Sequence, residues 1–206
     1  MSIEMNLDIA QRLFIFAALA LICIRLPVLL RQRRLQPIAN QSDWPERIGH
    51  GMAVCGMLLT PLLASTDSLF AHFNWSFSPL MALMGAGVML LSLWMLCCSQ
   101  YDLAGHGTTT WQLHTGQRLV KSGIYQHIRH PMYAAFWLWG LAQAMMLQNW
   151  LTGFSGLATF AVLYSVRMPN EERMLLKHFG AEYLAYMHST GRILPKWQWH
   201  EEKLPV

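Results

Sequence analysis

Two short runs in this sequence gather side chains able to do chemistry. Arg129, His130, Pro131, Met132 and Tyr133 form RHPMY, and the run RMPNEERMLLKHFGAEYLAY begins at Arg167 and carries Glu171 and Glu172. Proline suits the first turn of a helix, where its missing N–H costs nothing. The open N–H groups of such a turn carry roughly half a positive charge and favour anions. Arg129 and His130 add donors beside it, so this helix start suits a carboxylate or a phosphate. The same five residues also suit a juxtamembrane anchor, with Arg on lipid phosphate and Tyr in the interfacial belt. In the second run, Pro169 is expected to end or kink the preceding helix. Asn170 would then cap a new one, with Glu171 and Glu172 in its first turn. Leu175 and Phe179 follow Glu171 at four-residue steps, the pattern of an amphipathic helix lying against a bundle. Arg167 stands one turn before Glu171. Taken alone, this run reads better as a capped surface helix with solvated acids.

The elements that must hold these residues are apolar helices. The chain has 206 residues, 54% of them hydrophobic and 13% charged. Soluble domains carry about 25% charged residues, and the mean hydropathy here is +0.27. Five apolar segments stand out: Leu7–Leu30, Ile48–Ala64, Leu80–Cys98, Met132–Leu147 and Trp150–Val166. Each approaches the roughly 17–25 residues of a spanning helix. The expected fold is an all-α membrane protein with about five transmembrane helices. Residues 1–99 supply three of them, and residues 100–206 a catalytic region. Only Gln148 and Asn149 separate the last two segments, which should form a tight helical hairpin. Its flanks carry the two reactive runs, so Arg129, His130, Tyr133, Arg167 and Glu171 are expected to converge at one end of the bundle, a common place for a small-molecule site.

Arg and Lys cluster in alternate connections: Arg33 and Arg34 after the first segment, Arg118 and Lys121 before the fourth, and Arg173, Lys177 and Arg192 after the fifth. The connections between the second and third segments and within the hairpin lack them. Five spans then place the N-terminus outside and the C-terminus in the cytoplasm, in an arrangement that suits a bacterial inner membrane. Arg25 is expected to snorkel from the first helix, and Arg12 is the misfit. The net charge of +4 reads as topology and contact with anionic membrane lipids rather than nucleic-acid binding.

The run LVKSGIYQHIRHPMY, the hairpin, RMPNEERMLLKHFGAEYLAY and RILP together resemble the isoprenylcysteine carboxyl methyltransferase family of integral membrane enzymes. The resemblance covers about Gln117 to Pro195. It implies S-adenosylmethionine bound in a cytoplasmic pocket, with S-adenosylhomocysteine as product. Carried over by position, Leu119, Val120 and Tyr125 would surround the nucleoside. His130, Pro131, Met132 and Tyr133 would line the cofactor, and Glu171 would hold its ammonium. Arg167 would face the acceptor carboxylate. Gln117 stands where some relatives carry His, and no contact transfers to Gly105–Gln112. A sulfonium methyl is already activated, and a carboxylate with a pKa near 4 needs no base, so the protein must mainly position the two reactants. The implied partner is a lipophilic or lipidated acceptor of isoprenylcysteine type; a thiol or a phospholipid amine is an alternative. Sterol reductases, which use NADPH, also carry an HPxY-like element, but theirs tends to continue with Asn and a downstream acid, whereas this one continues as HPMYAAF. A non-catalytic lipid-binding protein is the remaining alternative.

Other polar residues carry less. His127 and His130 have a usable metal spacing, but no carboxylate or Cys completes a set, so no metal is expected. Cys23, Cys55, Cys97 and Cys98 lie within apolar segments and read as small buried residues. Met81, Met84, Met89 and Met95 read as apolar filler, and Gly85 and Gly87 as points of close helix contact.

Overall fold

Where no water is at hand, backbone N–H and C=O groups must pair within their own segment, which makes long apolar runs helical. The structure is a computed structural model that describes residues 2–32, 44–64, 68–76, 78–105 and 118–196. Its elements are α1 (Ser2–Gln32), α2 (Trp44–Val54), a π-helical turn (Cys55–Leu59), α3 (Thr60–Ala64), a 3-10 turn (Ser68–Phe73), α4 (Pro79–Gly105), a second 3-10 turn (Gly123–Gln126), α5 (Pro131–Leu147), α6 (Trp150–Phe179) and α7 (Ala181–Ser189). Among the described residues there are no strands, only isolated bridges between Asn74 and Asn149 and between Ile128 and Gly191.

Among the described residues, two helices are long and apolar enough to cross a membrane, Ile9–Leu30 and Pro79–Ala104. Only 22% of each apolar window is buried, which separates them from the core helices of a soluble protein. Phe16 and Leu19 on α1, and Leu83, Leu90 and Trp94 on α4, point outward, an apolar surface too extensive for contact with water. The other expected spans are also helical. α5 has 17 residues and begins at Pro131, as the proline requires.

α4 packs on α5, α5 on α6, and α2 on α6. Trp139 lies at the centre, 1% exposed, with Phe14 edge-on at 5.7 Å. Small residues set the spacing. A Cβ on Gly85 would come within 2.8 Å of Met145 Cβ, and one on Gly56 within 2.6 Å of the Ser155 carbonyl. The Gly56 carbonyl, in the π-helical turn, accepts from Gln143 Nε2 at 2.9 Å and Ser155 Oγ at 2.7 Å.

The hairpin turn is built from its two polar residues. Gln148 adopts φ 50° and ends α5. Asn149 caps α6 by accepting from the N–H groups of Leu151 at 3.0 Å and Thr152 at 2.9 Å. Their side chains also bond Ser78, Phe70 and Asn74.

Several sequence expectations need correction. α6 runs unbroken through Pro169 to Phe179, so Asn170 lies inside a helix and caps none; the next helix begins after Gly180, at φ 54°. Proline removes one hydrogen bond, but Arg167, Met168 and Glu172 are buried on either side of it, and their packing holds the helix in register. Arg25 does not reach for lipid headgroups. Its Nη1 turns to Met132 Sδ at 3.5 Å. Cys23, Cys55 and Cys97 are exposed on the outside of the bundle and Cys98 is half-buried, since an apolar position in such a chain can face lipid as readily as core. Gly87 meets nothing within 4 Å, so of Gly85 and Gly87 only Gly85 brings helices together. Arg33, Arg34, residues 106–117 and residues 197–206 lie outside the described residues.

Candidate functional site

One end of the hairpin opens into a cavity built from four pieces of chain. The loop before α5 supplies Leu119, Val120 and Tyr125, and the start of α5 supplies His130 to Tyr133. Glu171, Leu175 and Phe179 project from one face of α6, at the four-residue step of their spacing. Tyr183 and Tyr186 of α7, with Leu103 of α4, complete much of the wall. The space amounts to about 620 Å³, counting the part open to solvent.

The loop is held by side chains that the fold brings to it. Asp102, near the end of α4, accepts from the Ile124 N–H at 2.7 Å. Gly123 stands at φ 61°, and a Cβ there would run into the Asp102 carboxylate, so the turn requires glycine. The Tyr125 hydroxyl pairs with Ser99 Oγ at 2.9 Å, and Tyr186 donates its hydroxyl to the Tyr125 carbonyl. The C-terminal segment then closes on the loop, as the N–H groups of Arg129 and His130 donate to the carbonyls of Gly191 at 2.8 Å and Arg192 at 2.9 Å.

Charge is concentrated at the α5 start. Tyr133 donates to Glu171 Oε2 at 2.5 Å and accepts from Arg167 Nε at 2.7 Å. His130 Nδ1 stands 3.6 Å from Glu171 Oε1, and its Nε2 stands 3.5 Å from Glu172 Oε1. Arg129 donates to the carbonyls of Met187 and Thr190 and to Glu172 Oε1. Arg192 reaches the same Glu172 carboxylate at 2.6 Å. Thus the negative charge expected at this helix start is supplied in part by the protein's own glutamates.

The buried groups fix one another's protonation. Burial alone would lower His130, but Glu171 and Glu172 hold it above its ordinary value. Burial would raise Glu171, but His130, Arg167 and Tyr133 hold it below the usual carboxylate range. Burial likewise opposes ionisation of Glu172, yet His130, Arg192 and Arg129 bring it down to about 2. Stability from Glu172 is therefore complete above its ordinary value of 4.5 and lost as pH falls through about 2. Stability from His130 is complete below 6.5 and lost as pH rises through its higher folded value. Thermal unfolding in detergent should give a midpoint that falls on both sides of this window, and Glu172→Gln should flatten the acid limb.

Leu119, Val120, Tyr125, His130, Pro131, Met132, Tyr133 and Glu171 all line the cavity. Gln117 lies outside the described residues. Arg167 is not on the lining; it is 3% exposed and lies behind Tyr133 and Glu171, turned toward α2. His127 is exposed whereas His130 is buried, and among the described residues no group of three His, Cys, Asp or Glu is placed to hold a metal. The sequence reading missed Glu172 as the hub of the charge network. It also missed the walls given by Tyr183 and Tyr186, although EYLAY carried a three-residue step between them. Tyr183 Oη and Arg129 Nε are buried near one another, and neither meets hydrogen-bond geometry with a partner among the described residues.

Residues 83–177 match the isoprenylcysteine carboxyl methyltransferase (ICMT) family. The protein-S-isoprenylcysteine O-methyltransferase of Saccharomyces cerevisiae is 34% identical over 77 residues, 37% of this chain and 32% of that protein. The human protein-S-isoprenylcysteine O-methyltransferase is 36% identical over 77 residues, 37% of this chain and 27% of that protein. Protein-S-isoprenylcysteine O-methyltransferase B of Arabidopsis thaliana is 33% identical over 78 residues, 38% of this chain and 40% of that protein. The chain thus spans well under half the length of these relatives. The matched stretch contains α5, with most of α4 and α6, and leaves α1, α2 and α7 outside it.

Proposed function

We propose that this chain, matched to the isoprenylcysteine carboxyl methyltransferase family over residues 83–177, is an integral membrane methyltransferase that moves a methyl group from S-adenosylmethionine to a lipophilic carboxylate of isoprenylcysteine type. One observation carries the reading: the RHPMY start of α5 and the Glu171 face of α6 meet on a single cavity, inside the matched stretch. Five spans, with the cavity at the cytoplasmic surface and the N-terminus outside, agree with the placement of the basic residues.

The residues present fit the cofactor. Apolar Leu119, Val120, Leu175 and Phe179 would enclose a nucleoside, with Tyr125 and Tyr183 offering aromatic faces. Glu171, held ionised, would accept from an ammonium. The buried Tyr183 hydroxyl and Arg129 Nε would gain a polar partner. When bound, S-adenosylmethionine supplies a methyl group activated as a sulfonium, so its transfer to a carboxylate needs neither base nor metal. His130, 3.6 Å from Glu171 and 3.5 Å from Glu172, favours the ionised form of both. Tyr133 fixes Glu171 on one side and Arg167 on the other, so the two are set in relation through a single hydroxyl. Arg167, on the bundle side of Tyr133, would orient the acceptor carboxylate, and a lipophilic acceptor could arrive between helices. Proximity of this kind can supply about 7–11 kcal/mol of a bimolecular barrier.

Calorimetric titration of the detergent-purified protein with S-adenosylhomocysteine tests the reading, with saturable binding as the expected result. Binding of NADPH and none of S-adenosylhomocysteine would reverse it in favour of a reductase. A methyl-transfer assay over lipophilic acids, thiols and amines then separates the acceptors.

A further inference from the structure

We propose that His50, on α2, is a positioning residue for the acceptor side of the site, acting through the Arg167 guanidinium. The inference rests on the methyl-transfer reading above and deepens it. α2 lies outside the stretch matched to the family, and nothing in the motifs of the sequence pointed to this histidine.

The two ring nitrogens have settled roles. Nδ1 lies 2.8 Å from the Glu46 carbonyl. A carbonyl only accepts, so Nδ1 carries the hydrogen. Nε2 lies 2.9 Å from Arg167 Nη1. A guanidinium only donates, so Nε2 must present its lone pair. His50 is thereby neutral, in one tautomer, and serves as an acceptor for a buried cation. A protonated ring would lose that bond and set a second positive charge against Arg167.

Arg167 is gripped from two sides. Nε donates to Tyr133 Oη at 2.7 Å, and Nη1 donates to His50. Glu46 Oε2 stands farther off, 3.9 Å from Nη1. A planar guanidinium bonded along two edges has little rotational freedom, and its plane decides whether it can meet a carboxylate with a paired fork. Tyr133 belongs to the cavity wall and cannot by itself fix that plane. The second grip comes from α2, whose close packing against α6 is set at Gly49, where a Cβ would come within 3.1 Å of Leu163 Cδ1. α2 thus takes part in acceptor recognition while contributing nothing to the cavity lining.

The test uses full-length protein in detergent, titrated with S-adenosylhomocysteine and, separately, with an S-prenylated N-acetylcysteine bearing a free carboxylate. For His50→Ala, affinity for the prenylated acid should fall by about tenfold or more, as for a lost hydrogen bond to a charged group. Affinity for S-adenosylhomocysteine should stay within about twofold. His50→Gln should recover most of the acceptor affinity, because its amide oxygen can occupy the place of Nε2 and accept from Arg167. In the methylation assay the loss should appear as a raised KM for acceptor with unchanged KM for cofactor. Unchanged acceptor affinity in His50→Ala overturns the inference. So does a His50→Gln variant as poor as His50→Ala, or a parallel loss of both affinities, which would mark a packing role. If the unmutated protein fails to bind S-adenosylhomocysteine, the methyl-transfer reading falls and takes the inference with it. If that binding is normal and the histidine is silent, the inference alone falls.

Discussion

Glu171→Gln should weaken binding of S-adenosylhomocysteine on the order of 100-fold while leaving the helical content intact. The substitution keeps the shape and can still accept from Tyr133, which donates at 2.5 Å. It removes the charge. Glu171 is the lining's carboxylate among the described residues; Glu172 stands off the lining and is already engaged by Arg129 and Arg192. The amide nitrogen would also face His130 Nδ1 where a carboxylate oxygen now stands 3.6 Å away, a conflict that the native pairing avoids. Hydrogen bonds to charged groups contribute about 1.5–3 kcal/mol, or roughly 10- to 150-fold in affinity, and the added conflict places the expectation near the upper end. Calorimetric titration beside the unmutated protein is the measurement. Affinity within about threefold would remove Glu171 from the proposed cofactor site.

The second large effect is on stability. Arg129→Met should destabilise the folded protein by about 3–5 kcal/mol, the cost of taking one partner from a buried ion pair. Arg129 lines the cavity, yet its guanidinium faces the protein. It holds the carbonyls of Met187 and Thr190 and the Glu172 carboxylate, joining the α5 start to α6 and to the end of α7. Arg192 cannot replace it, because its side chain is about half exposed and reaches Glu172 from the rim. Thermal or denaturant unfolding in detergent would measure the loss, and a change below about 1 kcal/mol would show that the C-terminal segment is held mainly by its backbone bonds to residues 129 and 130.

What could be read from the sequence depended on whether a residue's partner was local. Pro131 announced a helix start, and Gln148–Asn149 between two apolar runs announced the hairpin, because both signals lie within a few residues. The step from Glu171 to Leu175 and Phe179 marked one face of a helix, and that face lines the cavity. The apolar segments were equally plain as helices, but their faces were not: in an apolar chain, composition cannot say whether Cys97 or Gly87 meets lipid or another helix. Arg25 has a stem long enough to reach either water or core, so only the packing of α1 against α5 decides for Met132. His50 is a lone histidine in sequence, and its partner is 117 positions away. Pro169 misled for a related reason, since a local rule for helix breaking was overridden by burial on both sides.

That unbroken helix has a mechanical corollary. A proline has no N–H to give the carbonyl of Ser165, so the rod is softest in the turn that separates Arg167 from Glu171. Their present gap is 3.6 Å. Any flexing of the shaft would be felt first as a change in that gap, between a guanidinium set toward the bundle and a carboxylate set on the cavity.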